Sequence, residues 1–90
     1  MTNYEFEKAA KNAVTDILKN KYNIETSLEK LQIVWFSYTL GFKKCTLYEP
    51  GIGSYYAEVT FNRDADEIYV DIYLKQSNTK IPASEFNFNA

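Results

Sequence analysis

From Glu67 to Lys75 the chain alternates without a break, with Ile68, Val70, Ile72 and Leu74 at one parity and Tyr69, Asp71, Tyr73 and Lys75 at the other. Successive side chains of a strand point to opposite faces, so this segment is a strand with one apolar face and one aromatic, charged face. Such a strand is stable only in a sheet whose apolar side is covered by another layer. Tyr55 to Asn62 repeats the pattern, with Tyr55, Ala57, Val59 and Phe61 set against Tyr56, Glu58 and Thr60. The polar stretch Arg63-Asp64-Ala65-Asp66 between the two is short enough for a hairpin turn.

Two further strands precede these. Ile33 to Leu40, entered at Gln32, is a run of β-branched and aromatic residues, and Gly41 punctuates it before a second run from Lys43 to Glu49. Simple parity puts Ile33 and Trp35 on one face of the first strand and Val34, Phe36, Tyr38 and Leu40 on the other. Both faces are then apolar, so cover is expected on both sides, from the tail segment Ile81 to Phe88 or from another chain. Pro50 to Ser54 forms the turn into the third strand.

The N-terminal segment has a different period. Phe6, Ala9, Ala10, Ala13, Val14, Ile17 and Leu18 recur at steps of three and one, which lines one side of a helix. Thr2 followed by Glu5 has the spacing of a capping box, Lys19 and Lys21 suit the carbonyl end of the dipole, and Asn23 is a stop signal. These marks predict a helix over about 3–22. Burying each of its large apolar side chains contributes roughly 1.5–3 kcal/mol, which requires a sheet beneath them.

Short turns between four strands favour antiparallel neighbours, since parallel pairing needs crossovers of a dozen or more residues. The expected fold is α+β: one N-terminal amphipathic helix packed on a four-stranded antiparallel meander sheet, in the order αββββ. Ninety residues support one core, so residues 1–75 are expected to form a single domain, with 76–90 a polar tail able to dock on the sheet.

Composition narrows the chemistry. The chain has no histidine, which removes the usual general base near neutral pH and the commonest transition-metal ligand. Its single cysteine, Cys45, forms no internal disulfide and lies in an apolar run, the setting of a buried structural thiol in a reducing compartment. The N-terminus lacks a basic segment followed by an apolar core, and no apolar run approaches the length of a bilayer span. A cytoplasmic protein with no membrane association, no metal and no cofactor is expected. Ten basic residues against twelve acidic ones argue against neutralising nucleic-acid phosphates as the main role.

The sheet region resembles a family of short uncharacterised proteins encoded by phages and prophages of Gram-positive bacteria. The likeness rests on Ile33-Val34-Trp35 leading to Tyr38-Thr39-Leu40, on Tyr55 to Asn62, and on Glu67-Ile68-Tyr69-Val70-Asp71-Ile72-Tyr73, within a span of about residues 4 to 75. The resemblance implies a small accessory protein acting inside a bacterium. It assigns no residue a role.

Two loops have the outline of ligand sites without the substance. Asn62 to Glu67 places oxygens at alternating positions but lacks the glycine and distant glutamate of an EF-hand loop. Gly51-Ile52-Gly53-Ser54 joins two strands and opens no helix, so it is a turn rather than a phosphate cradle.

The unusual feature is the sheet face opposite the helix, to which parity assigns Thr60, Lys75 and an aromatic and acidic set, Tyr56, Glu58, Tyr69, Asp71 and Tyr73. Tyrosines give large contact area at low entropic cost, while carboxylates set electrostatic preference. With Trp35 of the first strand, this aromatic and acidic set supplies the candidate contact residues of a non-catalytic binding protein. The expected partner is a bacterial host protein, and a homodimer is the expected assembly. The competing reading is a single-stranded nucleic-acid module that stacks bases on the sheet aromatics, which Glu58 and Asp71 oppose.

Overall fold

The computed structural model describes residues 1–86. Helix α1 spans Asn3–Tyr22. Strands β1 (Gln32–Thr39), β2 (Phe42–Tyr48), β3 (Tyr55–Asn62) and β4 (Glu67–Leu74) follow, and a 3-10 turn lies at Ala83–Glu85. Every neighbouring pair is antiparallel and the sheet order is β1-β2-β3-β4, so the fold is the α+β meander read from the sequence.

The helix begins and ends where its chemistry dictates. Thr2 Oγ1 accepts from the Glu5 backbone N–H at 3.1 Å while Glu5 Oε1 accepts from the Thr2 N–H at 2.9 Å, closing a capping box. The second bond explains why the Glu5 carboxyl is held below its ordinary value. Asn23 adopts the left-handed conformation (φ 55°), which turns the chain so that the Ile24 N–H reaches the Leu18 carbonyl at 2.9 Å.

Phe6, Ala10, Val14 and Leu18, spaced by four, are fully buried against Cys45, Leu47, Tyr55, Ala57, Val59 and Phe61. Ala10 and Ala57 carry the smallest side chains of this interface and let helix and sheet approach closely. The helix lies over β2, β3 and β4. It reaches β1 through Phe6, whose ring meets Phe36 edge-on at 5.8 Å. Leu74, which parity assigns to the helix face, is exposed at the end of β4.

The first strand departs from simple parity. Ile33 pairs with Leu47 but Trp35 pairs with Thr46, so Val34 is an extra residue and β1 carries a bulge. The bulge returns Ile33, Phe36 and Tyr38 to the helix side, opposite Leu47, Cys45 and Lys43, and moves Trp35 to the other side, opposite Thr46. The expected grouping of Ile33 with Trp35 is therefore corrected. Its cause is one inserted residue in a run that has no polar residue to mark the shift.

The β1–β2 hairpin turns on Leu40 and Gly41, both at positive φ (51° and 87°), the geometry of a type I′ turn. The tail from residue 76 to 86 is exposed throughout. Phe88, one end of the segment considered as cover for β1, lies outside the described residues.

Candidate interaction face

With α1 on one side of the sheet, the other side has no layer over it among the described residues. Strand register determines what that face displays. Trp35, Thr46, Glu58 and Asp71 form one row across all four strands. Tyr56 and Tyr73 pair in the row to one side, with Tyr48 next in line on β2. Ser37, Lys44, Thr60 and Tyr69 form the row on the other side. All six contact candidates thus share one surface, and the β1 bulge is what brings Trp35 to it. Trp35, Tyr56, Tyr69 and Tyr73 are 50%, 44%, 46% and 41% exposed, so each ring keeps about half its area available.

The tyrosines are ordered by their neighbours. The rings of Tyr56 and Tyr73 stack face to face, 4.7 Å between centroids and 11° from parallel. Tyr73 lies beside Glu58 and Asp71, whose negative charges hold its phenol above the ordinary value, Glu58 most strongly. The Tyr69 hydroxyl donates to Glu67, and that bond raises its pKa as well. Both phenols are therefore neutral donors at physiological pH. A groove of about 290 Å³ opens beside the stack, lined by Gly53, Tyr55, Tyr56, Tyr73, Leu74 and Lys75.

The charge on this face is unbalanced. Glu58, Glu67 and Asp71 outnumber the cations on it, Lys44 at the centre and Lys75 just past the end of β4 beside the groove. Glu58 and Asp71 are direct cross-strand partners, an arrangement that costs stability because like charges face each other. Lys44 relieves half of it by pairing with Glu58 at 3.3 Å. Asp71 has no cation within ion-pair distance among the described residues. Lys44 and Tyr48 escaped the sequence reading of this face, although the parity of β2, with Lys43, Cys45 and Leu47 turned inward, placed both on it.

Among the described residues no group of His, Cys, Asp or Glu side chains is placed to hold a metal ion. Burial pushes the Cys45 thiol up to about 12, helped by the negative charge of Glu7, so it is a packed side chain and no nucleophile. In the β3–β4 turn, Asn62 Oδ1 accepts from the backbone of Asp64 and Ala65 at 3.0 and 3.2 Å. The oxygen that a calcium loop would offer is engaged in shaping the turn. Glu49 accepts from the hydroxyls of Thr26 and Tyr55, which ties the α1–β1 connection to the sheet. No described helix is long and apolar enough to cross a membrane.

A model of a family of unknown function, DUF6275, matches residues 7–83, and the chain belongs to that family. The match runs past β4 into the tail, beyond the span of the resemblance seen in the sheet residues alone. Searches of curated proteins and of solved structures return no significant match.

Proposed function

We propose that this member of a family without an assigned function is a non-catalytic phage or prophage accessory protein that binds a bacterial host protein in the cytoplasm through the open face of its sheet. The observation that carries this reading is the row Trp35, Thr46, Glu58, Asp71 flanked by the stacked Tyr56 and Tyr73. Aromatic rings that keep half their area exposed supply the buried contact of an interface, and the unpaired Asp71 supplies its electrostatic preference.

The charge pattern indicates the chemistry of the partner. An arginine or lysine from a partner, set between the Tyr73 ring and the Glu58–Asp71 pair, gains a cation–π contact and a charge-assisted hydrogen bond together. It also removes the like-charge repulsion that the free protein carries. The target surface is accordingly basic. The phage setting rests on the family resemblance of the sheet residues and names a context, not a target.

The stacked tyrosines also suit bases of a single strand, and the same experiment separates the two readings. Tagged protein is used to capture partners from bacterial lysate with and without nuclease, beside a Glu58→Lys/Asp71→Lys variant. The protein-binding reading predicts a stoichiometric, nuclease-resistant partner that the charge-reversed variant fails to capture. Recovery that disappears with nuclease, or that improves on charge reversal, favours nucleic acid.

A further inference from the structure

The two edges of the sheet differ in a way that bears on assembly. The β4 edge carries Glu67 and Asp71, and two such strands side by side would bring carboxylates together. The β1 edge, Gln32–Thr39, has no charged residue and no proline, and the one guard it carries is the bulge at Val34, which leaves the stretch beyond it regular. Its apolar side chains are exposed, with Val34 at 58%, Tyr38 at 57% and Leu40, in the adjoining turn, at 75%.

Among the described residues, the backbone of this edge is unpaired at defined positions. Residues flanking a two-residue hairpin turn exchange hydrogen bonds, so Thr39 faces Phe42 across β2. Alternation then turns the backbone of Ser37 and Trp35 inward to β2 and that of Phe36 and Tyr38 outward. The regular stretch is bounded by the bulge at Val34 on one side and the Leu40-Gly41 turn on the other, leaving 35–39 with Ser37 at its centre.

We infer that β1 pairs antiparallel with β1 of a second copy about a two-fold axis at Ser37, joining two four-stranded sheets into one. In this register Phe36 and Tyr38 of each copy exchange backbone hydrogen bonds with Tyr38 and Phe36 of the other. On the helix side the same residues form aromatic cross-strand pairs. On the open side Ser37 meets Ser37, and Trp35 lies beside Thr39. The contact is isologous, so assembly closes at two copies and does not continue as a fibre. The two open faces then lie side by side on one continuous sheet.

Sedimentation of the full chain at micromolar concentration is expected to give twice the 10.5 kDa chain mass. Ser37→Glu sets a carboxylate opposite Lys44 in its own sheet, which suits the single chain, but places two carboxylates together at the axis. It is expected to sediment as a monomer that still unfolds cooperatively, and mixing it with Ser37→Lys should restore a dimer. Ser37→Cys gives an independent readout. Residues directly opposed in a non-hydrogen-bonded antiparallel pair are about 4.5 Å apart at Cα, within reach of a disulfide, while Cys45 is buried. Oxidation should therefore cross-link the Ser37→Cys dimer. A wild-type chain that stays at 10.5 kDa, a Ser37→Glu chain that remains dimeric, or a Ser37→Cys dimer that oxidation fails to cross-link overturns the inference. None of these variants alters Tyr56 or Tyr73, so failure here is distinguishable from failure of the open-face reading.

Discussion

The Lys43 ammonium donates to Asn3 Oδ1 at 2.6 Å, joining β2 to the first residue of α1. Lys43 is only 5% exposed, and its remaining close partner is the Tyr38 ring, 4.2 Å from Nζ to the centroid. A cation held by an amide oxygen and a ring, with no carboxylate in ion-pair distance among the described residues, has little margin for losing either. Asn3→Ala should therefore lower stability by about 1–3 kcal/mol. Lys43→Met keeps the packing and removes the charge, so it should change stability by less than about 1 kcal/mol. Adding Asn3→Ala to it should cost less than about 0.5 kcal/mol. Denaturant titration of the four proteins checks this, and an equal cost of Asn3→Ala in both backgrounds contradicts it.

Cys45 sets an alkaline limit on stability. Its thiol is raised from 9.0 to about 12, so the folded chain holds this proton more tightly than the unfolded chain. The associated stability is complete below pH 9 and is lost as pH rises from 9 through about 12. Tyr55, raised above 10.0 chiefly by burial, adds its own loss at higher pH. Between pH 9 and 10 the wild type should therefore lose stability with pH faster than Cys45→Ala does. Parallel pH profiles in chemical unfolding would show that the thiol is not desolvated as described.

The β1–β2 turn contains a removable strain. Leu40 adopts φ 51°, a left-handed conformation disfavoured for a side chain with Cβ, and asparagine tolerates it better. Leu40→Asn should raise stability by about 0.5–1 kcal/mol. Gly41→Ala should do the reverse. Gly41 sits at φ 87°, and an added Cβ would lie 2.7 Å from Arg63 Cδ, whose guanidinium rests over the Phe42 ring at 5.4 Å. Thermal unfolding of the two variants should move in opposite directions, and a shared direction contradicts this account of the turn.

Much of the fold is legible because local chemistry and global packing agree. The Thr2–Glu5 box and Asn23 set the helix limits, and the alternation in Tyr55–Asn62 and Glu67–Leu74 defines two strands and their faces. The first strand is legible as a strand but not in its facing. Its run from Ile33 to Phe36 is apolar at every position, so nothing in it marks Val34 as the extra residue. Trp35 consequently reaches the row of Glu58 and Asp71 through register, which only the assembled sheet reveals. Burial of Lys43 is hidden for a similar reason. Its parity is that of Cys45 and Leu47, yet the partner that makes burial tolerable lies forty residues away at the helix start.

The carboxylate pair gives the open face a salt signature. Glu58 and Asp71 oppose each other directly and Lys44 balances only Glu58, so contact with a basic partner should weaken steeply as ionic strength rises. Asp71→Asn should reduce that salt dependence while leaving the unfolding midpoint unchanged or slightly raised. Binding that is indifferent to salt in both proteins would place the contact on another surface.

The most direct measurement is the affinity of the captured partner for the wild type and for a Tyr56→Ser/Tyr73→Ser variant, by calorimetry, with unfolding midpoints measured in parallel. The stacked rings lie on the solvent side of the sheet, away from the helix, so the variant should fold. Loss of the stack should weaken binding by at least about tenfold, or roughly 1.4 kcal/mol. Unchanged affinity in a folded double variant would contradict the open sheet face as the binding surface.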